Sequence, residues 1–78
     1  MNHTVKIFTT PTCSYCKMAK EFFKEHGVTY QEVDVTKDQV ALKDMADRSG
    51  QMGVPVILID DDVVVGFDQE RLSSLLGV

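Results

Sequence analysis

The sequence predicts one small α/β domain of order βαβαββα, a four-stranded mixed sheet flanked by three helices. Three observations carry that prediction. The hydrophobic period changes from strand-like to helical at Cys13. The unbroken apolar run Pro55–Ile59 has the character of a strand covered on both faces, which places it mid-sheet. Helical stripes separate the first three strand-like stretches, so those strands are joined by crossovers, with helices on both faces. The 78 residues suffice for one domain near the lower size limit of a self-sufficient apolar core, and they contain no repeats, linkers or low-complexity segments.

Each element has its own signal. Val5, Ile7 and Phe8 form a first strand that ends at Thr9-Thr10-Pro11, where proline cannot donate to a ladder. From about Ser14 to His26, Cys16, Ala19, Phe22, Phe23 and His26 recur at three- and four-residue spacing. Charged side chains fill the other face, and Gly27 stands where a helix end favours positive φ. Val28–Val35 reads as a strand near a sheet edge. Thr36 and Gln39 have capping-box spacing, with Asp38 suited to the first turn of a second helix. That helix carries Val40, Ala41, Leu42, Met45 and Ala46 as an apolar stripe to about Ser49, and Gly50 closes it. Met18 and Met45 are expected as core filler. Asp60-Asp61-Asp62 is a polar turn rather than a cation loop, since no carboxylates follow at calcium-loop spacing, and Val63–Val65 returns as a hairpin arm. Asp68 caps a last short helix carrying Leu72, Leu75 and Leu76, ended by Gly77.

Composition excludes several classes of function. No apolar run approaches the ~20 residues of a membrane span. The first residues, Met1-Asn2-His3-Thr4-Val5-Lys6, lack the pattern of a secretion signal, so a cytoplasmic location is expected. A net charge of −4 argues against nucleic acid as a partner.

Both cysteines fall in Cys13-Ser14-Tyr15-Cys16, at the junction of a strand and a helix within a βαβ pattern. In that setting Cys-x-x-Cys is a redox motif. Cys13 sits at the helix N-terminus, where unpaired amides and the positive end of the dipole favour its thiolate, the attacking form. Cys16 follows one turn later on the same face, within disulfide reach, and begins the apolar stripe. The pair is therefore asymmetric: an attacking Cys13 and a more buried, resolving Cys16. A structural staple across so short a loop gains little chain entropy and is reduced in the cytoplasm. A structural zinc site needs four ligands, and beyond the cysteines there are only His3 and His26, neither at finger spacing. His26 is better read as a surface or helix-capping residue.

Three segments together resemble the glutaredoxins: Cys13-Ser14-Tyr15-Cys16, Gly53-Val54-Pro55 before the central strand, and Gly66-Phe67-Asp68 after the hairpin. The resemblance covers essentially the whole chain and implies a thioredoxin-like fold in a single domain, 1–78. It implies a cis bond before Pro55 facing the cysteines. It also implies a dithiol enzyme that reduces protein disulfides and glutathione mixed disulfides, with glutathione as co-substrate and no tightly bound cofactor. Cys13 and Cys16 would be catalytic, and Tyr15, Lys17, Gln51, Val54, Pro55, Gly66, Phe67 and Asp68 would hold glutathione. An extended peptide can pair beside Pro55, and Asp68 offers a partner for the γ-glutamyl ammonium. Partners would be glutathione and disulfide-containing or glutathionylated proteins, and a monomer is expected.

The chain departs from the family pattern at three places. Ser14 replaces a frequent proline, Gly53 a usual threonine, and Thr10 a frequent basic residue, leaving Gln51 or Lys17 to meet a glutathione carboxylate. Two other activities belong to similar proteins. One is that of a redoxin recharged by thioredoxin reductase, supplying ribonucleotide reductase, which Gly66-Phe67 resembles. The other is that of a [2Fe–2S] carrier in which Cys13 of each of two protomers, with two glutathiones, bridges the cluster.

Overall fold

The computed structural model describes residues 3–78; Met1 and Asn2, which entered the reading of a missing leader, lie outside the described residues. The elements are β1 (Val5–Thr9), α1 (Ser14–Glu25), β2 (Gln31–Asp34), α2 (Gln39–Ser49), β3 (Val56–Ile59), β4 (Asp62–Val65) and α3 (Gln69–Leu76). The sheet order is β2-β1-β3-β4. β1 runs parallel to β2 and antiparallel to β3, with Ile7 opposite Ile57, and β3 is antiparallel to β4, with Ile57 opposite Val64. This is the thioredoxin-like arrangement that the sequence implied.

Strand alternation divides the core in two. Val5 and Ile7, Ile57 and Ile59, and Val64 face Ala19, Phe22 and Phe23 of α1 and Leu72 and Leu76 of α3. Phe8, Val56 and Leu58 point to the other side, where Met45 of α2 and Val35 complete a second cluster. All four residues of β3 are buried, because its neighbours cover its edges and helices cover both its faces. No described helix is long and apolar enough to cross a membrane.

Several boundaries differ from the sequence reading. β2 is limited to Gln31–Asp34; Val28 and Tyr30 instead pack against the α1 side of the core. Thr36 does not cap α2. Its hydroxyl and amide both bond the Asp34 carboxylate, and Asp38 is the cap, accepting from Ala41 N–H at 3.0 Å. Two residues expected inside lie outside: Val40, read as part of the α2 stripe, is 81% exposed and Met18, read as core filler, is 47% exposed, whereas Met45 fills the core as expected. The acidic turn is shorter than read, since Asp62 already pairs with Ile59. Asp60 has φ of 53°, and its backbone and carboxylate are tied to Thr4 and His3, which hold its carboxyl below the usual carboxylate range, His3 contributing most.

Candidate active site

β1 delivers the chain to the end of the sheet, and residues 10–13 turn it into α1. Cys13 is the N-cap of that helix; its Sγ accepts a hydrogen bond from Cys16 N–H at 3.2 Å. The first turn contains no acidic side chain, so no carboxylate neutralises the positive end of α1. The amide end of the helix is therefore open to an anion, and Cys13 Sγ is the atom that stands at it.

Cys16 differs in every respect. It is 1% exposed, at the head of the apolar face that α1 presents to the sheet. Burial, and next the neighbouring Cys13 side chain, push its thiol up to about 12, and the Thr10 backbone and the Lys20 charge offset this only in part. Cys16 is thus kept as a thiol at neutral pH, close to Cys13 and screened from solvent. The two cysteines are unlinked in this structure.

The wall facing Cys13 is the segment that enters β3. The Val54–Pro55 bond is cis, and the Val54 carbonyl oxygen lies 3.9 Å from Cys13 Sγ. Gly66 N–H donates to Pro55 carbonyl at 2.8 Å, which fixes the stretch after β4 beside the proline; Gly66 has φ of 81°, a conformation glycine adopts readily. Asp68 caps α3, one carboxylate oxygen accepting from Arg71 N–H at 3.2 Å.

Other residues singled out in the sequence lie around this centre in different states. Tyr15 is 62% exposed and Lys17 is exposed, both in the first turn of α1. The Phe67 ring turns inward, edge-on to Phe22 with centroids 6.0 Å apart, and packs against the core. The Gln51 amide is engaged with the backbone of Gly53. A carboxylate would have to displace that pairing to reach it. His26 ends α1 as its C-cap, with its ring 4.5 Å from that of Phe22. A cavity of about 580 Å³ lies near it, at the far end of α1 between His26–Thr29 and Leu76–Val78, and includes no residue of the site.

A buried threonine behind the site was not signalled by the sequence. Thr9, 2% exposed, donates its hydroxyl to Glu32 Oε2 at 3.0 Å, and Lys20 Nζ donates to the same oxygen at 2.9 Å. The Lys20 ammonium first, then the Thr9 hydroxyl, hold the Glu32 carboxyl below its usual range. Spacing along the chain gives no hint of this cluster, because it joins three elements.

Comparison with known proteins agrees with this geometry. Residues 5–64 match the family model described as Glutaredoxin. A glutaredoxin-like 8.6 kDa protein from the rubredoxin operon of Clostridium pasteurianum, itself uncharacterized, is 39% identical over 72 residues, 92% of this chain and 96% of that protein. Glutaredoxin 3 of Escherichia coli is 38% identical over 64 residues, 82% of this chain and 77% of the relative. The crystal structure of a glutaredoxin from Archaeoglobus fulgidus superposes with a TM-score of 0.85 at 28% identity, covering 92% of this chain and 84% of that one.

Proposed function

This chain belongs to the glutaredoxin family, and from that premise we propose that it is a glutathione-dependent thiol–disulfide oxidoreductase acting through Cys13 and Cys16. One observation supports the reading above others. An accessible cysteine caps a helix beside a cis-proline wall, and its CxxC partner is buried and held as a thiol.

The chemistry follows from that asymmetry. Cys13 thiolate attacks the glutathione sulfur of a glutathionylated protein; the S–S bond breaks, the protein leaves as a thiolate that takes up a proton, and glutathione remains on Cys13. The thiolate of a second glutathione attacks this mixed disulfide, releasing oxidised glutathione and regenerating Cys13. With a protein disulfide, Cys13 first forms a mixed disulfide with the substrate. Cys16 then loses its proton and attacks Cys13 Sγ, expelling the reduced substrate and leaving a Cys13–Cys16 disulfide that two glutathiones reduce. The high proton affinity of Cys16 holds it back from the first step, so attack on the incoming disulfide falls to Cys13.

Glutathione would lie extended beside Val54 and Pro55, with Tyr15 and Lys17 along one side. Its γ-glutamyl end would reach the Gly66–Asp68 turn, where the Asp68 carboxylate meets the ammonium. The Phe67 side chain serves the core instead, and its contribution there is backbone.

The test is an NADPH-coupled assay on a glutathione mixed disulfide, run once with glutathione and glutathione reductase and once with thioredoxin reductase. Turnover with the glutathione couple is expected. Turnover with thioredoxin reductase alone would overturn the reading and make the chain a redoxin of the other kind.

A further inference from the structure

The loop between α2 and β3, which leads into the cis-proline wall, contains a side-chain-to-backbone pairing. Gly53 N–H donates to Gln51 Oε1 at 2.5 Å, and Gln51 Nε2 donates to Gly53 carbonyl at 3.0 Å. One side-chain amide thus exchanges two hydrogen bonds with the backbone of one residue, as a neighbouring strand would. Ser49 Oγ anchors the start of the loop, lying 2.7 Å from Met45 carbonyl in α2 and 2.9 Å from Gln51 carbonyl. The far end of the loop is Val54, whose carbonyl faces Cys13 Sγ. Among the described residues, the Val54 N–H has no hydrogen-bond acceptor.

Glycine at position 53 is a condition of this pairing. A Cβ there would stand 2.7 Å from Gln51 Oε1, closer than such atoms approach in proteins. The obstructing atom is the tip of a flexible side chain, so a larger residue at 53 would dislodge Gln51 while the loop itself could remain.

We propose that Gln51 is a positioning residue for peptide-like disulfide substrates: by occupying both backbone groups of Gly53 it holds the loop so that Val54 presents its own N–H and carbonyl to an extended glutathionyl chain next to Cys13. The assignment rests on the glutathione-dependent reading above and names what orients the surface that reading uses. Gln51 does not touch the reacting sulfurs. Its loss loosens the pairing edge and leaves the thiol chemistry of Cys13 intact.

The experiment compares the full-length wild type with Gln51→Ala, Gln51→Glu and Gly53→Ala. Two readouts are taken: steady-state reduction of a glutathionylated cysteine peptide in the glutathione reductase couple, and the direct second-order reaction of the reduced protein with 4,4′-dithiodipyridine, which has no backbone to pair. Gln51→Ala and Gly53→Ala, which break the pairing by different routes, should raise KM for the peptide about five- to tenfold, with kcat and the dithiodipyridine rate within about twofold of wild type. Gln51→Glu keeps the acceptor for Gly53 N–H and loses the donor, so its KM should fall between. An unmoved KM in an active protein overturns the assignment alone, as does a dithiodipyridine rate that falls in parallel with the peptide activity. A wild type inert toward the glutathionylated peptide overturns the proposed function and this assignment with it.

Discussion

Iodoacetamide should distinguish the two thiols of the reduced protein by a wide margin. At pH 7 a thiol pushed up to about 12 is thiolate in only about one molecule in 10⁵, whereas a free thiol of pKa ~8.5 is about 3% thiolate. Ionisation alone therefore slows Cys16 by ~3 × 10³-fold relative to a free cysteine. A more basic thiolate is the better nucleophile, and a Brønsted slope of ~0.4–0.5 over ~3.5 units returns about 25- to 55-fold. The net deficit is on the order of 10²-fold, and the 1% exposure of Cys16 can only widen it by excluding the reagent. Timed alkylation followed by proteolysis and mass spectrometry would read each cysteine separately. Cys13 should be fully labelled while Cys16 remains essentially free. Equal labelling, or earlier labelling of Cys16, would refute the assignment of attacking and resolving roles.

Other expectations follow from the same contacts. The folded state keeps the Cys16 proton up to about pH 12, whereas an unfolded chain loses it near 9, so the reduced protein should lose stability as pH rises between those values; urea midpoints of the wild type should fall more steeply there than those of Cys16→Ala, which keep only the loss of the Lys20–Glu32 pair as Lys20 deprotonates. Thr9→Val removes the hydroxyl bond to Glu32 and should cost about 1 kcal/mol in urea unfolding at neutral pH. Because the Glu32 carboxyl is held below its ordinary 4.5, its contribution is present above that pH and lost as the pH falls through the folded value, so Thr9→Val should also lose less stability on acidification. Asp68→Asn preserves an N-cap acceptor for Arg71 N–H while removing the charge, so thermal stability should persist and KM for the glutathione mixed disulfide should rise; Asp68→Ala should lose about 1 kcal/mol as well. If Asp68→Asn leaves KM unchanged, Asp68 is a cap and nothing more.

Much of this molecule was legible because local and global signals coincide. The stripe of Cys16, Ala19, Phe22 and Phe23 both makes α1 amphipathic and meets the sheet, and Pro55–Ile59 announced a buried strand because its apolar residues leave no polar face to expose. The Cys-x-x-Cys site could be placed since a strand must end and a helix begin within a few residues of Cys13. Errors arose where two local choices were nearly equivalent. Thr36 and Asp38 are both good caps, and the Asp34 carboxylate drew Thr36 away. Met18 and Val40 are apolar residues on helix faces that the sheet does not reach, a matter of packing angle rather than period. The Gln51–Gly53 pairing and the Thr9–Glu32–Lys20 cluster depend on loop curvature and on contacts between elements, for which residue types alone carry no signal.

The central claim is that Cys13 is the thiol that attacks and takes the glutathionyl group, and that Cys16 resolves a mixed disulfide on Cys13 when no reduced glutathione does so first. Cys16→Ser protein treated with oxidised glutathione and quenched with acid tests this most directly, with intact mass and peptide mapping as the readout. The account predicts one glutathionyl group per chain, on Cys13, in Cys16→Ser, and an internal Cys13–Cys16 disulfide without adduct in the wild type. A Cys16→Ser protein that acquires no glutathione would contradict it.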